Sequence, residues 1–421
     1  MNGLPGDVVE VQKLYQKKRS FFGEISNIII PSTLRKKKLC LVSGVCGACD
    51  WVNIDYIEQL KLKSQIYQEI FSRWHTVLDD LINESPVINY YRNKCFFSVQ
   101  KKEGKHLLGM YTRNTHDVIE HEHCYLYPPL FKLITDTVRE WILEGNVELY
   151  DECRKQGSLR SIGFRQSSDG KSIILILVTK NSRLPFTNLL IKRLVIFPEI
   201  TGIIQNIQSE PHNVILGQRD KILFGSPELL EQITIEAPDH TKKVLNLRVH
   251  YSSFFQVNSL QALNIYTDIY RYIEHDETVL DVYSGMGMIG LWIALKAQKV
   301  ICIEENAKAV QTGITNAKEN NLENLEFLQG DVKTVFNNLD LSLIDTVIFD
   351  PPRKGLESSV ILQVCKQRIR KIIYLSCNPA TQKRDLELFL AEGYQLISLR
   401  GYDMFPHTWH IESLAVLELK Y

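Results

Sequence analysis

From about residue 245 the chain alternates short apolar runs with helical segments, and this rhythm is its strongest constraint on fold. Val279–Tyr283, Val300–Glu304, Leu325–Gln329, Thr346–Asp350 and Lys371–Ser376 read as strands, with helices between them. Near-continuous apolar strands separated by helices predict a doubly wound, mostly parallel sheet. Such sheets carry their chemistry at the C-terminal ends of the strands. The fifth run ends in Leu375-Ser376-Cys377-Asn378-Pro379. Asn-Pro stops the strand, and Pro379 suits the first turn of a helix over Ala380–Leu390. Cys377 is thus expected at a strand end, before a helix N-terminus, where thiolate is favoured.

The first of these strands runs into Asp281-Val-Tyr283-Ser-Gly285-Met-Gly287-Met-Ile-Gly290. Glycines at this spacing let a backbone turn pass close to a ligand above a helix N-terminus. Glu304 ends the next strand, where an acid commonly binds ribose hydroxyls. Asp331 follows the third strand and is placed to meet an adenine amine. A nicotinamide cofactor and S-adenosylmethionine both fit this pattern. Asp350-Pro-Pro-Arg-Lys-Gly355 after the fourth strand separates them. It is a rigid, sharply turned loop with a carboxylate over the sheet edge. Dehydrogenases have no evident use for it, whereas sheet-class methyltransferases use such a loop to hold the acceptor. Arg353, standing where amine-modifying relatives usually have an aromatic, argues against amine methylation.

Upstream, residues 1–39 are a short β-rich piece and residues 40–85 a cysteine loop followed by a helical stripe from Ile54 to Leu81. Residues 86–244 read as a mixed domain. Its candidate strands are Phe96–Gln100, Ile173–Thr179 and Gly202–Ile207, with a helix over Leu130–Leu143 and a hairpin signal at Asp169-Gly170. Residues 245–421 form the α/β catalytic domain.

Lysine plus arginine equals aspartate plus glutamate at 49 each, so net charge announces no nucleic acid. A local excess precedes Cys40. Lys13, Lys17, Lys18, Arg19, Arg35, Lys36, Lys37 and Lys38 face Asp7, Glu10 and Glu24, which is 8 − 3 = +5. The sequence shows no secretory leader and no apolar run of membrane-spanning length, which makes a cytoplasmic protein the expectation. Thiols there are reduced, catalytic or metal-bound. Cys40-x5-Cys46-x2-Cys49, with distant Cys124 in His121-Glu-His123-Cys124, reads as a metal or cluster site. Zinc and a [4Fe–4S] cluster compete, with His121 and His123 as spare ligands in the zinc case.

Five motifs together resemble the RNA uracil-5-methyltransferases. They are Phe254-Phe255-Gln256-Val257-Asn258, the Asp281–Gly287 loop, Asp350–Gly355, Ser376-Cys377-Asn378-Pro379-Ala380-Thr381, and the stretch from Asp403-Met404-Phe405-Pro406-His407 to Glu412. The likeness covers nearly the whole chain. It implies a Rossmann-like S-adenosylmethionine-dependent methyltransferase sheet, an α+β central RNA-binding domain and a shortened N-terminal TRAM/OB-like β segment. It further implies Cys377 as nucleophile and Glu412 as the base at carbon 5 of uracil. Gln256, Tyr283, Gly285, Gly287, Glu304, Asp331 and Asp350 fall at donor or acceptor positions. Ser284 replaces a common cysteine, and Met288 a frequent polar residue. A branch of the family carries a [4Fe–4S] cluster on a layout that Cys40, Cys46, Cys49 and Cys124 match, with Ala48 for a common glycine. That branch includes enzymes of 23S ribosomal RNA, which favours ribosomal over transfer RNA as the partner; separately, a monomer is expected. An RNA-binding or RNA-folding protein with secondary methylation is the competing class.

Overall fold

The computed structural model describes residues 3–17, 20–36, 40–79, 81–210, 214–236 and 242–420. They form two compact units. One comprises Met1–Gln59, Ile88–Pro227 and Pro406–Trp409; the other comprises Leu60–Val87, Glu228–Phe405 and His410–Tyr421.

The first unit opens with an antiparallel pair, β1 (Val8–Lys17) and β2 (Ser20–Ile30). The described members of the basic cluster are largely neutralised. Lys13 pairs with Glu24, Arg35 with Asp7 and Lys36 with Asp55. Lys18, Arg19, Lys37 and Lys38 lie outside the described residues. Helix α1 (Tyr56–Ile70) begins in this unit and continues in the second.

A mixed seven-stranded sheet follows: β3 (Lys94–Lys102), β4 (Lys105–Tyr111), β5 (Val118–Ile119), β6 (Leu159–Gln166), β7 (Ile173–Thr179), β8 (Ile200–Ile207) and β9 (Arg219–Gly225). Its order is β5-β4-β3-β6-β7-β8-β9. Among the described residues of this sheet, only β7 and β8 run parallel, and that pair needs a crossover helix. Helix α3 (Thr187–Leu194) supplies it, beside α2 (Pro129–Glu144). Gly170, at φ 75°, closes the expected hairpin between β6 and β7.

The second unit begins, after α1, with a ribbon of β10 (Glu228–Glu236) and β11 (Lys242–His250), then α4 (Ser259–Arg271). Its sheet contains β12 (Thr278–Val282), β13 (Lys299–Glu304), β14 (Leu325–Gln329), β15 (Thr346–Phe349), β16 (Lys371–Ser376), β17 (Tyr394–Tyr402) and β18 (Glu412–Leu419). The order is β14-β13-β12-β15-β16-β18-β17. The five strands expected from the sequence are all present and parallel, and β18 lies antiparallel between β16 and β17. Helices α5 (Met288–Ile293), α6 (Ala307–Glu319), α7 (Val332–Phe336), α8 (Ser358–Lys366) and α9 (Pro379–Ala391) connect them. Apolar side chains are buried on both faces, as the unbroken strand pattern requires.

The helix expected over Ile54–Leu81 is shorter than its periodicity implies. α1 ends at Ile70 and a single tight turn covers Ser72–Trp74. Beyond it the backbone joins the edge of β17. Leu399 N–H donates to Val77 O at 3.0 Å, and Asp79 N–H to Leu399 O at 3.0 Å. An open sheet edge with unpaired backbone groups outweighed the local helical pattern.

Candidate functional site

The loops at the C-terminal ends of β12, β13, β15 and β16 surround a cavity of about 600 Å³ within the second unit. It lies where the strand order reverses, between β12 and β15. Gln256, Tyr283, Gly285, Glu304, Asp350, Cys377 and Glu412 all line it. Gly287 and Asp331 stand outside the lining.

Gly287 shapes the loop instead. It caps α5 at φ 78°, and a Cβ there would fall 2.5 Å from the Phe327 ring. Gly285 also takes a positive φ of 58°, as does Tyr283 at 65°, which is strained for a non-glycine residue. Glu304 braces this turn. One carboxylate oxygen accepts from Gly285 N–H at 3.0 Å and the other from Asn306 N–H at 2.7 Å. Four lone-pair positions leave room for a ligand hydroxyl as well. Asp331 has a structural use of its own. Its exposed carboxylate caps α7, accepting from Lys333 N–H at 3.1 Å and Thr334 N–H at 3.3 Å. A carboxylate following a strand and opening a helix is an N-cap first, and spacing cannot distinguish that use from a ligand contact.

Asp281 was visible as part of the glycine motif but not as a site residue. It is 1% exposed and lines the cavity. One oxygen accepts from Gly290 N–H at 2.9 Å, and the other has no hydrogen-bond partner. Burial raises its pKa to about 7, and burial raises that of Asp350 to about 7 as well. Against a carboxylate reference of about 3.9, such groups stabilise the fold fully only below that reference. That contribution is lost as pH rises through about 7. We therefore expect the melting temperature of ligand-free protein to fall from about pH 4 to about pH 8, and Asp281→Asn to flatten the fall. An unchanged slope in a thermal-shift series would place Asp281 among ionised, compensated groups.

Cys377 and Glu412 meet through strand pairing. The antiparallel register Ser376↔Ser413 between β16 and β18 makes Cys377 and Glu412 the next opposed positions. Glu412 is 2% exposed, whereas Cys377 is half-buried. Asn378 Nδ2 and Thr381 Oγ1 both donate to Arg353 O, at 3.1 and 3.3 Å. They tie the Asp350-Pro-Pro-Arg353 loop to the cysteine loop. The expectation of a thiolate poised by the helix N-terminus does not hold in this state. Burial first, then the neighbouring Glu412, pushes the Cys377 thiol up to about 11, although Arg353 pulls it down. Burial and Asp350 also raise Glu412 well above the ordinary carboxylate range. The helix-end effect is of the order of 1 kcal/mol and is overridden by desolvation and nearby carboxylates. A bound cation would lower all three groups together.

In the first unit, Cys46 lies in a turn in which its N–H donates to Val42 O at 2.9 Å. Arg113 N–H donates to Val45 O, and Cys46 bridges to Thr112. Three of the four candidate cysteines are raised in part by the others. Cys49 is raised by burial, then by Cys124, Cys46 and Cys40. Cys124 is raised to about 11 by burial, with Cys46 and Cys40 adding to it. Cys46 is raised by burial and Cys40, and its Sγ lies 3.3 Å from His121 Nε2. Cys95, which showed no pattern in the sequence, also feels Cys124. Among the described residues, however, no three histidine, cysteine or acidic groups converge closely enough to hold a single metal ion. Tetrahedral zinc, with bonds of about 2.3 Å, and a cluster held by four thiolates both need ligands gathered round one centre, which this arrangement does not show.

The family profile described as tRNA (uracil-5-)-methyltransferase matches residues 213–420. An "uncharacterized RNA methyltransferase" of Clostridium tetani is 33% identical over 98% of this chain and 89% of its own length. One from Bacillus cereus is 31% identical over 99% of this chain and 91% of its own. The chain belongs to the RNA uracil-5-methyltransferase family. It is an S-adenosylmethionine-dependent RNA methyltransferase. The fold agrees: the Pyrococcus abyssi tRNA (uracil-54, C5)-methyltransferase, solved with S-adenosyl-L-homocysteine, superposes with a TM-score of 0.76. That likeness covers 98% of this chain and 93% of the other at 24% identity. Among the described residues of the methyltransferase, no helix is long and apolar enough to cross a membrane.

Proposed function

We propose that this methyltransferase modifies carbon 5 of a uridine in RNA, with 23S ribosomal RNA favoured, through a covalent Cys377 adduct. The observation that carries the reading is one cavity holding a thiol, a buried carboxylate, the glycine turn and the Asp350-Pro-Pro loop. Carbon 5 of uracil is a weak nucleophile. Addition of the Cys377 thiolate to carbon 6 moves the ring π electrons toward the carbon 4 oxygen, and carbon 5 becomes nucleophilic. The donor supplies an electrophilic methyl group and leaves as a neutral thioether. Glu412 then takes the proton from carbon 5, the carbon 5–carbon 6 double bond reforms, and the sulfur leaves as thiolate. Arg353 lies beside Cys377 to stabilise the charged sulfur. The glycine turn, Glu304, Gln256 and Asp350 would hold the donor and the acceptor. The target base must leave any stack to enter.

The test uses anaerobically purified protein, total RNA and methyl-labelled donor, followed by nucleoside digestion of each RNA class. Label in 5-methyluridine of ribosomal RNA is expected. Label confined to transfer RNA would transfer the reading to the class named for the Pyrococcus abyssi protein. No label, with donor binding intact, would favour an RNA-binding or RNA-folding role. We further assign a [4Fe–4S] cluster to Cys40, Cys46, Cys49 and Cys124, serving to staple the cysteine loop rather than to carry electrons. The spacing Cys40-x5-Cys46-x2-Cys49 with distant Cys124, and the action of Cys124, Cys46 and Cys40 on the buried Cys49 thiol, support this reading. Iron and sulfide assays on protein purified without oxygen should give about four of each per chain. Cys124→Ala should lose most of both, and stoichiometric zinc in their place would refute the assignment. A cytoplasmic monomer is the expected state, to be checked by light scattering.

A further inference from the structure

Lys63 and Asp403 are both fully buried, and neither touches the reacting groups in the scheme above. Lys63 Nζ donates to Asp403 Oδ1 at 2.6 Å and to the carbonyl oxygen of Phe405 at 3.1 Å. Phe405 N–H donates to the same Asp403 Oδ1 at 3.1 Å. The two members of one ion pair thus hold both backbone polar groups of a single residue. The other oxygen of Asp403 is buried with no hydrogen-bond partner. A buried pair with an unsatisfied oxygen is a poor way to stabilise a fold, since apolar side chains of similar volume often serve as well or better. Its geometry has a specific consequence instead. Phe405 lines the cavity with Cys377 and Glu412, and its ring stands 6.0 Å from that of His410 at a steep angle.

We propose that the Lys63–Asp403 pair is a positioning device for Phe405, whose ring is the wall against which the flat target base is aligned for attack by Cys377. The inference rests on the uridine-methylation reading. Thiolate addition needs carbon 6 presented face-on to sulfur, and an aromatic wall fixes the plane of the ring. A wall on a loop wanders unless its backbone is anchored, and here both N–H and C=O are anchored by one charged pair.

The test compares Phe405→Ala, the paired replacement Lys63→Met with Asp403→Leu, and all three together. Removing both charges at once avoids stranding either one. Turnover is measured per folded active site, beside the KM for RNA and the dissociation constant of the methyl donor. Phe405→Ala and the paired replacement should each lower kcat on the order of 100-fold. Donor affinity should stay within about twofold, because the donor-side turn is untouched. The triple variant should be no slower than Phe405→Ala alone, since the pair acts through that ring. Multiplying effects in the triple variant, or unchanged turnover in the folded paired variant, would overturn the proposal. If the paired replacement does not fold, Phe405→Ala still decides, because its side chain borders open space: full activity there ends the proposal. A native protein that forms no 5-methyluridine would instead strike the functional reading and this one with it.

Discussion

Cys377→Ala is expected to abolish formation of 5-methyluridine, by a factor on the order of 10⁴ or more, while donor binding survives. Without sulfur, carbon 5 has no route to nucleophilicity, and the remaining residues only bind and orient. Cys377 contributes no packing that alanine would ruin, being half-buried at the end of β16. The melting temperature should therefore change little. The check is a turnover assay beside calorimetric titration with the donor. Retained methylation would show that no covalent adduct is needed. The raised thiol sharpens the expectation. With the Cys377 pKa at about 11 in the ligand-free state, alkylation of the free enzyme by iodoacetamide should be slow at neutral pH. It should accelerate when a cationic donor analogue is bound.

Glu412→Gln is expected to stop the reaction one step later. Sulfur can add and carbon 5 can be methylated, but the proton on carbon 5 has no acceptor, so elimination fails. The variant should accumulate a covalent protein–RNA complex that survives denaturing electrophoresis, while turnover falls by about 10² to 10⁴. Absence of the complex, with turnover equally low, would assign Glu412 to an earlier step. The native enzyme should also show a rate that rises with pH. Glu412 must be unprotonated to accept a proton, and burial with Asp350 nearby raises its pKa well above the usual carboxylate range. Amide replacement at a 2% exposed position removes a buried ionisable group, so stability at high pH should not suffer.

The parallel strands were legible because a strand buried on both faces must be apolar along its whole length. β14 and β16 have the bounds expected of them, β13 and β15 differ by one residue at one end, and β12 is shifted by one residue at both. The turns that follow were legible for a related reason: glycine, proline and aspartate are needed locally for sharp, polar strand ends. Gly285 and Gly287 do take positive φ. Asp331 shows where this logic stops, because an acid after a strand serves a helix cap as readily as a ligand. The end of α1 shows another limit, since residues after Ile70 answered to the edge of β17 rather than to their own period.

Some properties belong to the local chain and others to what folds around it. The parallel sheet, the glycine turn, the placement of Cys377 at a strand end and the clustering of three cysteines are written locally. Each depends on residues within one or two turns of one another. That Cys377 and Glu412 face each other is a product of folding, because it depends on the antiparallel register of β16 and β18. So are the pKa values near 7 of Asp281 and Asp350, and the burial of Lys63 and Asp403 around Phe405. Desolvation and charge–charge interaction depend on everything within several ångströms, whatever its place in the chain, and a linear reading contains no such distances.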